Sequence, residues 1–194
     1  MTSYAWSITG NGSITGITNG RNVTVTAGAV NNSPVTLSLA MTDVNGCSLN
    51  CQQTFMVEDN IPPTFTLPLL SAGYCVEYVS QALYNPGKEN TPLDITYTRP
   101  DYYLVPAGST LLNLGAVADN CALALQPIAW TIDFGNNGSV ELSGNGQLSA
   151  YGADIQFPLG SSRINYTVTD ASGNVSVKFV DLVVTPRPVI SNIF

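Results

Sequence analysis

Acidic and amide side chains occur at three places along this chain, and their oxygen atoms are the ligands that hard cations prefer. Glu58, Asp59 and Asn60 stand together just before a pair of prolines, while Asp119 and Asp170 stand in later turn-like segments. Ca²⁺ takes about six to eight oxygen ligands from such groups. The sequence therefore predicts a candidate Ca²⁺ site built from these five residues.

The alternative is that Glu58, Asp59 and Asn60 have only a local role in the backbone turn. Asp and Asn side chains often initiate a turn ahead of proline, because they hydrogen-bond to backbone groups two residues on. Under that interpretation Glu58, Asp59 and Asn60 only begin the turn at Pro62 and bind nothing. The sequence leaves both interpretations open, and no other cofactor is expected.

The charge of the chain limits its partners. The net charge is −7, and the six Lys and Arg residues are scattered rather than clustered. Because phosphate backbones are bound by clustered basic residues, we expect no nucleic-acid partner. No apolar run approaches the ~18 residues of a membrane-spanning helix, so direct membrane insertion is not expected either.

Catalytic chemistry finds little support in the residue types. The chain contains no histidine. This excludes a Ser-His-Asp or Cys-His mechanism and removes the commonest general base and zinc ligand. We therefore expect a protein that is not an enzyme.

Aromatic residues offer a second kind of candidate site. Tyr97, Tyr102 and Tyr103 are close in sequence and could form an exposed platform for a sugar ring. The alternative is that they pack in the core, as we expect for Trp6 and Trp130, which lie on alternating strand-like segments. These tyrosines are thus candidate ligand-binding residues.

The elements that must position these residues are β-strands. Short segments rich in Val, Ile and Thr alternate between apolar and polar residues and are separated by Gly, Pro and Asn, which is typical of strands and turns. Only residues 74–84 could form a helix or a broad turn. The clearest strand-like segments are residues 21–26, 35–41, 54–57, 129–133 and 163–170.

The strand pattern repeats, with a break at residues 58–63. We predict an all-β chain of two tandem immunoglobulin-like β-sandwich modules, at residues 1–58 and 59–188, each ending in a hairpin whose turn reads T-D-x-x-G or T-D-x-N-G. The first module is too short for a complete sandwich, so we expect its opening strands to come from upstream sequence. The second module is expected to carry an insertion at residues 84–112. Residues 189–194 form a tail or the start of a further repeat.

Several motifs resemble known extracellular repeats. In the first module, Trp6 with Gly10-Asn-Gly12 and the turn at residues 42–47 resemble PKD-like and Ig-like repeats of large secreted Bacteroidetes proteins. The junction around residues 57–65 is similar to the cadherin linker, which places oxygen atoms around Ca²⁺. Segments of the second module resemble HYR (hyalin repeat) modules, namely residues 62–68, 118–121, 144–151, 157–160 and 166–174.

This resemblance covers nearly the whole chain and implies an Ig-like fold without catalytic residues. Proteins of this kind are exported by type IX secretion and include gliding-motility adhesins. We therefore expect a secreted structural or adhesive repeat segment at the cell surface, whose partners are neighbouring repeats of the same chain or filament. The alternative is a module that binds carbohydrate or protein within a secreted multidomain protein.

Four cysteines in a histidine-free, strand-rich chain favour two disulfides over free thiols. In HYR-like modules an early cysteine pairs with the cysteine of the D-N-C motif, and this resemblance implies a bond between Cys75 and Cys121. A second bond between Cys47 and Cys51 would close a small ring at a hairpin.

Overall fold

The computed structural model describes residues 2–75 and 102–186. Over these residues the chain is nearly all-β, as predicted, with one 3-10 helix at Leu148–Tyr151 and no α-helix. The strands are β1 (Ser3–Gly10), β2 (Gly12–Thr15), β3 (Thr24–Ala27), β4 (Ser33–Thr42), β5 (Ser48–Val57), β6 (Thr64–Phe65), β7 (Tyr74–Cys75), β8 (Tyr102–Val105), β9 (Val117–Ala118), β10 (Leu123–Asp133), β11 (Leu142–Asn145), β12 (Ile155–Pro158), β13 (Gly160–Asp170) and β14 (Val175–Thr185).

Two compact units make up the chain. Unit 1 consists of Met1–Pro63, Ala118–Leu125 and Thr169–Asn174, and unit 2 consists of Thr64–Val117, Gln126–Val168 and Val175–Phe194. Two turns that the sequence places in the second module thus group with unit 1. The number of modules stays a prediction.

Unit 1 contains a three-stranded antiparallel sheet with β4 between β1 and β5. The register sets Trp6 opposite Leu39 and Leu39 opposite Cys51. Because side chains alternate between the two faces of a strand, the large apolar residues gather on one face of this sheet. We call this the unit 1 apolar face; its members on β1 and β4 are Tyr4, Trp6, Ile8, Val35, Leu37, Leu39 and Met41.

The hairpin β2–β3 completes the strands of unit 1. Ahead of β3, the chain comes close to β1, where the Trp6 backbone N–H donates to the Thr18 carbonyl at 2.8 Å. The indole Nε1 of Trp6 donates to the Gly20 carbonyl at 2.9 Å. This segment therefore covers part of the β1 side of the sheet.

Unit 2 is built around a five-stranded sheet in the order β11-β10-β13-β14-β7. Strand β7 joins the edge of β14 in parallel, with Tyr74 opposite Val184. Two further pairs, β12–β8 and β6–β9, accompany this sheet. The core that they enclose consists of Phe65, Val105, Leu112, Leu114, Ile128, Trp130, Ile132, Leu148, Ile155, Phe157, Ile164, Tyr166, Val168, Leu182 and Val184.

Part of the stretch predicted as an insertion, residues 84–112, belongs to this core. Strand β8 pairs with β12 and buries Val105, and Leu112 is also fully buried. The buried Tyr166 hydroxyl donates to the Leu112 carbonyl at 2.6 Å. Residues 84–101 of this stretch, like residues 76–84 of the helix-like segment, lie outside the described residues. No helix of the described part has the length and apolar composition needed to cross a membrane.

The two T-D-x-x-G hairpin turns fold alike, which confirms the turns predicted from the sequence. Asp43 Oδ1 accepts hydrogen bonds from the backbone N–H groups of Asn45 and Cys47, each at 2.8 Å. Asp170 Oδ1 accepts the equivalent pair of bonds in the second turn, again at 2.8 Å. Gly46 adopts a φ of 82°, a left-handed conformation that other residues rarely take.

The strands that follow these turns differ in burial. Phe55 on β5 and Leu182 on β14 lie the same number of residues after their turn aspartates, and each is followed two residues later by a valine. Leu182 is 0% exposed, whereas Phe55 is 51% exposed. Equivalent positions are thus packed in unit 2 and open in unit 1.

This contrast predicts different effects of truncation. Replacing Leu182 by alanine removes buried methyl groups and leaves a cavity, so we expect a loss of about 2–5 kcal/mol in the free energy of unfolding. Phe55→Ala removes a half-exposed ring and should cost well under ~1 kcal/mol. Urea unfolding measures both losses. For Leu182→Ala it is followed by Trp130 fluorescence in a Trp6→Phe background, and for Phe55→Ala it is followed by Trp6 fluorescence. Equal losses of unfolding free energy in the two variants would contradict the difference in burial between Leu182 and Phe55.

Candidate functional site

Three aspartates from distant parts of the sequence converge in unit 1. One carboxylate oxygen from each of Asp59, Asp119 and Asp170 lies within 4.8 Å of the other two. Asp59 follows the end of β5, Asp119 follows β9, and Asp170 is the last residue of β13. We call this group the aspartate cluster.

Asp59 is almost fully buried and is surrounded by hydrogen-bond donors. Its Oδ1 accepts from the Ile61 backbone N–H at 3.2 Å and from Asn120 Nδ2 at 3.1 Å, and its Oδ2 accepts from the Ser172 hydroxyl at 3.2 Å. Burial by itself raises the pKa of this carboxyl, but these bonds and one from the Cys121 thiol outweigh it. The pKa of Asp59 therefore lies below its ordinary value, and the group stays ionised near neutral pH.

Asp170 is held by its own turn. Besides the two backbone bonds to Oδ1, its Oδ2 accepts from Asn174 Nδ2 at 2.8 Å. The same amide donates to the backbone carbonyl of Asp59 at 3.0 Å. Asn174 thus ties the β13–β14 turn to the segment that carries Asp59.

Asp119 differs from the buried carboxylates. Its Oδ2 accepts from the Cys121 backbone N–H at 2.9 Å, but its Oδ1 is buried and accepts no hydrogen bond from any described residue. Asp133, in unit 2, shows the ordinary arrangement, because its two oxygens accept from Asn137 and Gly138. Asp119 as a whole is half-buried, but a buried acceptor atom without a donor is costly, so its Oδ1 offers a place for a water molecule or a cation.

Among the described residues, no basic side chain forms an ion pair with the aspartate cluster. Within the described ranges the one ion pair joins Arg163 to Asp181 at 2.8 Å. Like charges this close repel each other, and a bound cation would relieve the repulsion. Two oxygens on opposite sides of a Ca²⁺ ion, at about 2.4 Å each, are about 4.8 Å apart. The spacing of the cluster therefore suits one such cation.

Neutral oxygens are also at hand. The amides of Asn120 and Asn174 and the hydroxyl of Ser172 bond directly to the clustered aspartates. Rotation of either amide by a half-turn would present Oδ1 instead of Nδ2. Together with three carboxylates, these groups can approach the ligand number that Ca²⁺ requires.

The structure brings together three of the five residues predicted as metal ligands. Glu58 and Asn60 are exposed, and Glu58 is not part of the cluster. Both flank Asp59, which points inward. The surrounding donors Ser172 and Asn174 were not predicted, although the second T-D-x-x-G turn contains Ser172 and is followed directly by Asn174.

Neither predicted disulfide is present, because all four cysteines are free thiols. Cys47 directly precedes β5 and Cys51 lies on it, and four residues of an extended strand span about 13 Å. A disulfide requires Cα atoms within about 7 Å. Cys75 lies on β7 in unit 2, whereas Cys121 belongs to unit 1 beside the aspartate cluster.

The surroundings of Cys121 also disfavour oxidation. Burial, followed by the negative charges of Asp59, Asp119 and Asp170, raises the pKa of this thiol. Because thiolates rather than thiols attack disulfides, Cys121 is a poor partner for disulfide formation.

The predicted tyrosine platform is not exposed where the structure describes it. Tyr102 and Tyr103 are half-buried on β8, and the Tyr103 ring packs 4.6 Å from that of Tyr74 at the border of the core. Tyr97 lies outside the described residues. Their role in ligand binding stays a prediction.

The chain matches no protein-family model, and a search of curated proteins finds no relative. The functional interpretation therefore depends on the residues of the aspartate cluster.

Without metal, removing one charge from the cluster should stabilise the protein. Asp119→Asn takes away one of three like charges and supplies an amide donor to its neighbours, so its melting temperature in EGTA should rise by a few degrees. Asp133→Asn should instead lose about 1–3 kcal/mol, because one backbone N–H loses its acceptor. Thermal unfolding in EGTA checks both. A lower melting temperature of Asp119→Asn in EGTA would contradict the expectation that the three carboxylates repel one another.

The thiol assignment has a chemical test. Without reductant, Ellman's reagent should titrate four thiols per unfolded chain. In the folded protein at pH 8, Cys121 should react more slowly than the exposed Cys47 and Cys51, because its raised pKa lowers the thiolate fraction. Cys121→Ser should remove only the slow phase. Two thiols instead of four would mean that a disulfide forms.

Proposed function

We propose that this chain is a non-enzymatic structural or adhesive segment of a bacterial extracellular or cell-surface protein, stabilised by Ca²⁺ bound to Asp59, Asp119 and Asp170. The observation that carries the proposal is the convergence of three carboxylates for which the described residues provide no basic partner. One of these carboxylates has a buried oxygen that accepts no hydrogen bond from those residues. The ion would hold together the segment after β5, the β9–β10 turn and the β13–β14 turn.

A structural role fits the way these residues are fixed. Hydrogen bonds from backbone N–H groups already orient Asp59 and Asp170, so that mainly the amides of Asn120 and Asn174 must turn when the cation binds. All the groups around the cluster are hydrogen-bonding oxygens and amides, apart from one thiol of raised pKa. Such an environment provides oxygen ligands for a cation.

An extracellular setting follows from the chemistry of the ion. Extracellular Ca²⁺ modules bind with Kd values of about 10⁻⁴–10⁻³ M, which suffices only where Ca²⁺ is abundant. The few charged side chains, 10% of the residues, and the strand-rich fold agree with the resemblance to PKD-like and HYR modules. We therefore also propose that the chain forms two Ig-like modules, that they are located at the cell surface, and that their partners are neighbouring repeats.

Calorimetric melting in EGTA and in Ca²⁺ tests the metal. With a Kd of about 10⁻⁴ M, 10 mM Ca²⁺ is about 100 times Kd and should stabilise the protein by about 2.7 kcal/mol. That corresponds to a rise of roughly 5–10 °C in melting temperature. Mg²⁺ at the same concentration should raise the melting temperature less, because Mg²⁺ loses its hydration water reluctantly.

Matched variants separate metal binding from turn formation. Asp170→Asn and Asp119→Asn should each abolish most of the Ca²⁺-dependent rise. Asp43→Asn is the control, because Asp43 anchors an equivalent turn but is exposed and outside the cluster. It should keep the full rise. A melting temperature that Ca²⁺ leaves unchanged in the unmodified protein would rule out the metal site.

A further inference from the structure

Strand β5 forms an uncovered edge of the unit 1 sheet. It pairs with β4 on one side, and no described residue pairs with its other side. The equivalent strand of unit 2, β14, is covered at one end of the corresponding edge, where β7 pairs with Val184 and Thr185. On the opposite side of the unit 1 sheet, the Trp6 backbone N–H of β1 donates a hydrogen bond to the Thr18 carbonyl. No backbone hydrogen bond joins the outer edge of β5 to another described segment.

The sequence of β5 does nothing to protect this edge. Natural sheets guard exposed edges with charged residues, proline, bulges or very short strands. Strand β5 has ten residues, none of them charged and none of them proline. Strand β14 contains Lys178 and Asp181, and β11, at the other edge of the unit 2 sheet, has only four residues. An open edge of this kind is expected to pair with another strand.

The exposed residues of β5 are arranged symmetrically. Leu49 and Phe55 are 61% and 51% exposed, and both lie on the unit 1 apolar face, opposite Met41 and Val35. They stand at equal distances in sequence on either side of Gln52. A second β5 strand running antiparallel, with Gln52 facing its own copy, would therefore set each Leu49 against the Phe55 of the other molecule.

We propose that two copies of this protein associate through β5, in an antiparallel two-fold pair centred on Gln52. A two-fold axis perpendicular to the sheet keeps each face on its own side, so apolar residues meet apolar residues. The row Ser7, Ser38 and Gln52 would then continue across the polar face into the second molecule. The product is one continuous six-stranded sheet.

The pairing is stabilised by two kinds of contact. An antiparallel pair of ten-residue strands forms about ten backbone hydrogen bonds at an edge that otherwise faces water. Two Leu49–Phe55 cross-strand pairs add apolar contact. Because such an interface is small, we expect a weak and reversible dimer rather than an obligate one. This inference does not depend on Ca²⁺, since β5 contributes no residue to the aspartate cluster.

A charge-swap experiment tests the register. Sedimentation equilibrium of the full chain, from about 1 µM to about 1 mM in reductant and EGTA, should show a reversible dimer. Gln52→Lys and Gln52→Glu each place like charges opposite each other at the axis, so each variant alone should dimerise at least about tenfold more weakly. An equimolar mixture of the two should restore dimerisation, because Lys then faces Glu.

Ser7→Lys is the matched control. Ser7 lies in the same cross-strand row and on the same polar face, but on β1, two strands from the proposed interface. This variant should dimerise like the unmodified protein, and Trp6 fluorescence should show that unit 1 of every variant is folded. A chain that is monomeric at all these concentrations would overturn the proposal. So would unimpaired dimerisation of Gln52→Lys, or a mixture that fails to restore the dimer.

Discussion

A β-sheet with one apolar face must cover that face, and this requirement governs how the two units differ. In unit 2 the large side chains of β13 and β14 are enclosed together with those of β8 and β12, so that Phe157 and Tyr166 are fully buried. The Tyr166 hydroxyl finds a carbonyl acceptor within this core, so the buried polar group is satisfied. Unit 2 therefore has an enclosed hydrophobic core of its own.

Unit 1 repeats the central strand order without the same enclosure. Strands β1, β4 and β5 stand in the same relation as β10, β13 and β14. Of the described apolar side chains on the unit 1 sheet, Val35 and Val57 are the buried ones. The hairpin and the segment near Thr18 lie toward β1, which leaves β5 exposed on its faces and along its edge. The sheet of unit 1 thus keeps a surface on which a further strand can be added.

The aspartate-anchored turns connect the fold to the proposed metal site. In both hairpins one carboxylate oxygen is used to fix the turn. Asp43 lies outside the aspartate cluster, and its side chain faces water. At Asp170 the second oxygen meets Asn174, and Asp59 and Asp119 lie next to it. The same local motif thus only stabilises a turn at Asp43, whereas at Asp170 it stabilises a turn and also contributes a carboxylate to the aspartate cluster.

Local patterns in the sequence determined the strands and the hairpin turns, because alternation and turn chemistry act over a few residues. They also indicated Asp59, Asp119 and Asp170 as oxygen donors. The tertiary structure alone decided that these three converge while Glu58 and Asn60 do not, since convergence depends on how turns far apart in sequence are brought together. It also decided that the cysteines stay apart and that β8 enters the core, because disulfide formation and burial depend on distances between segments that no local pattern encodes.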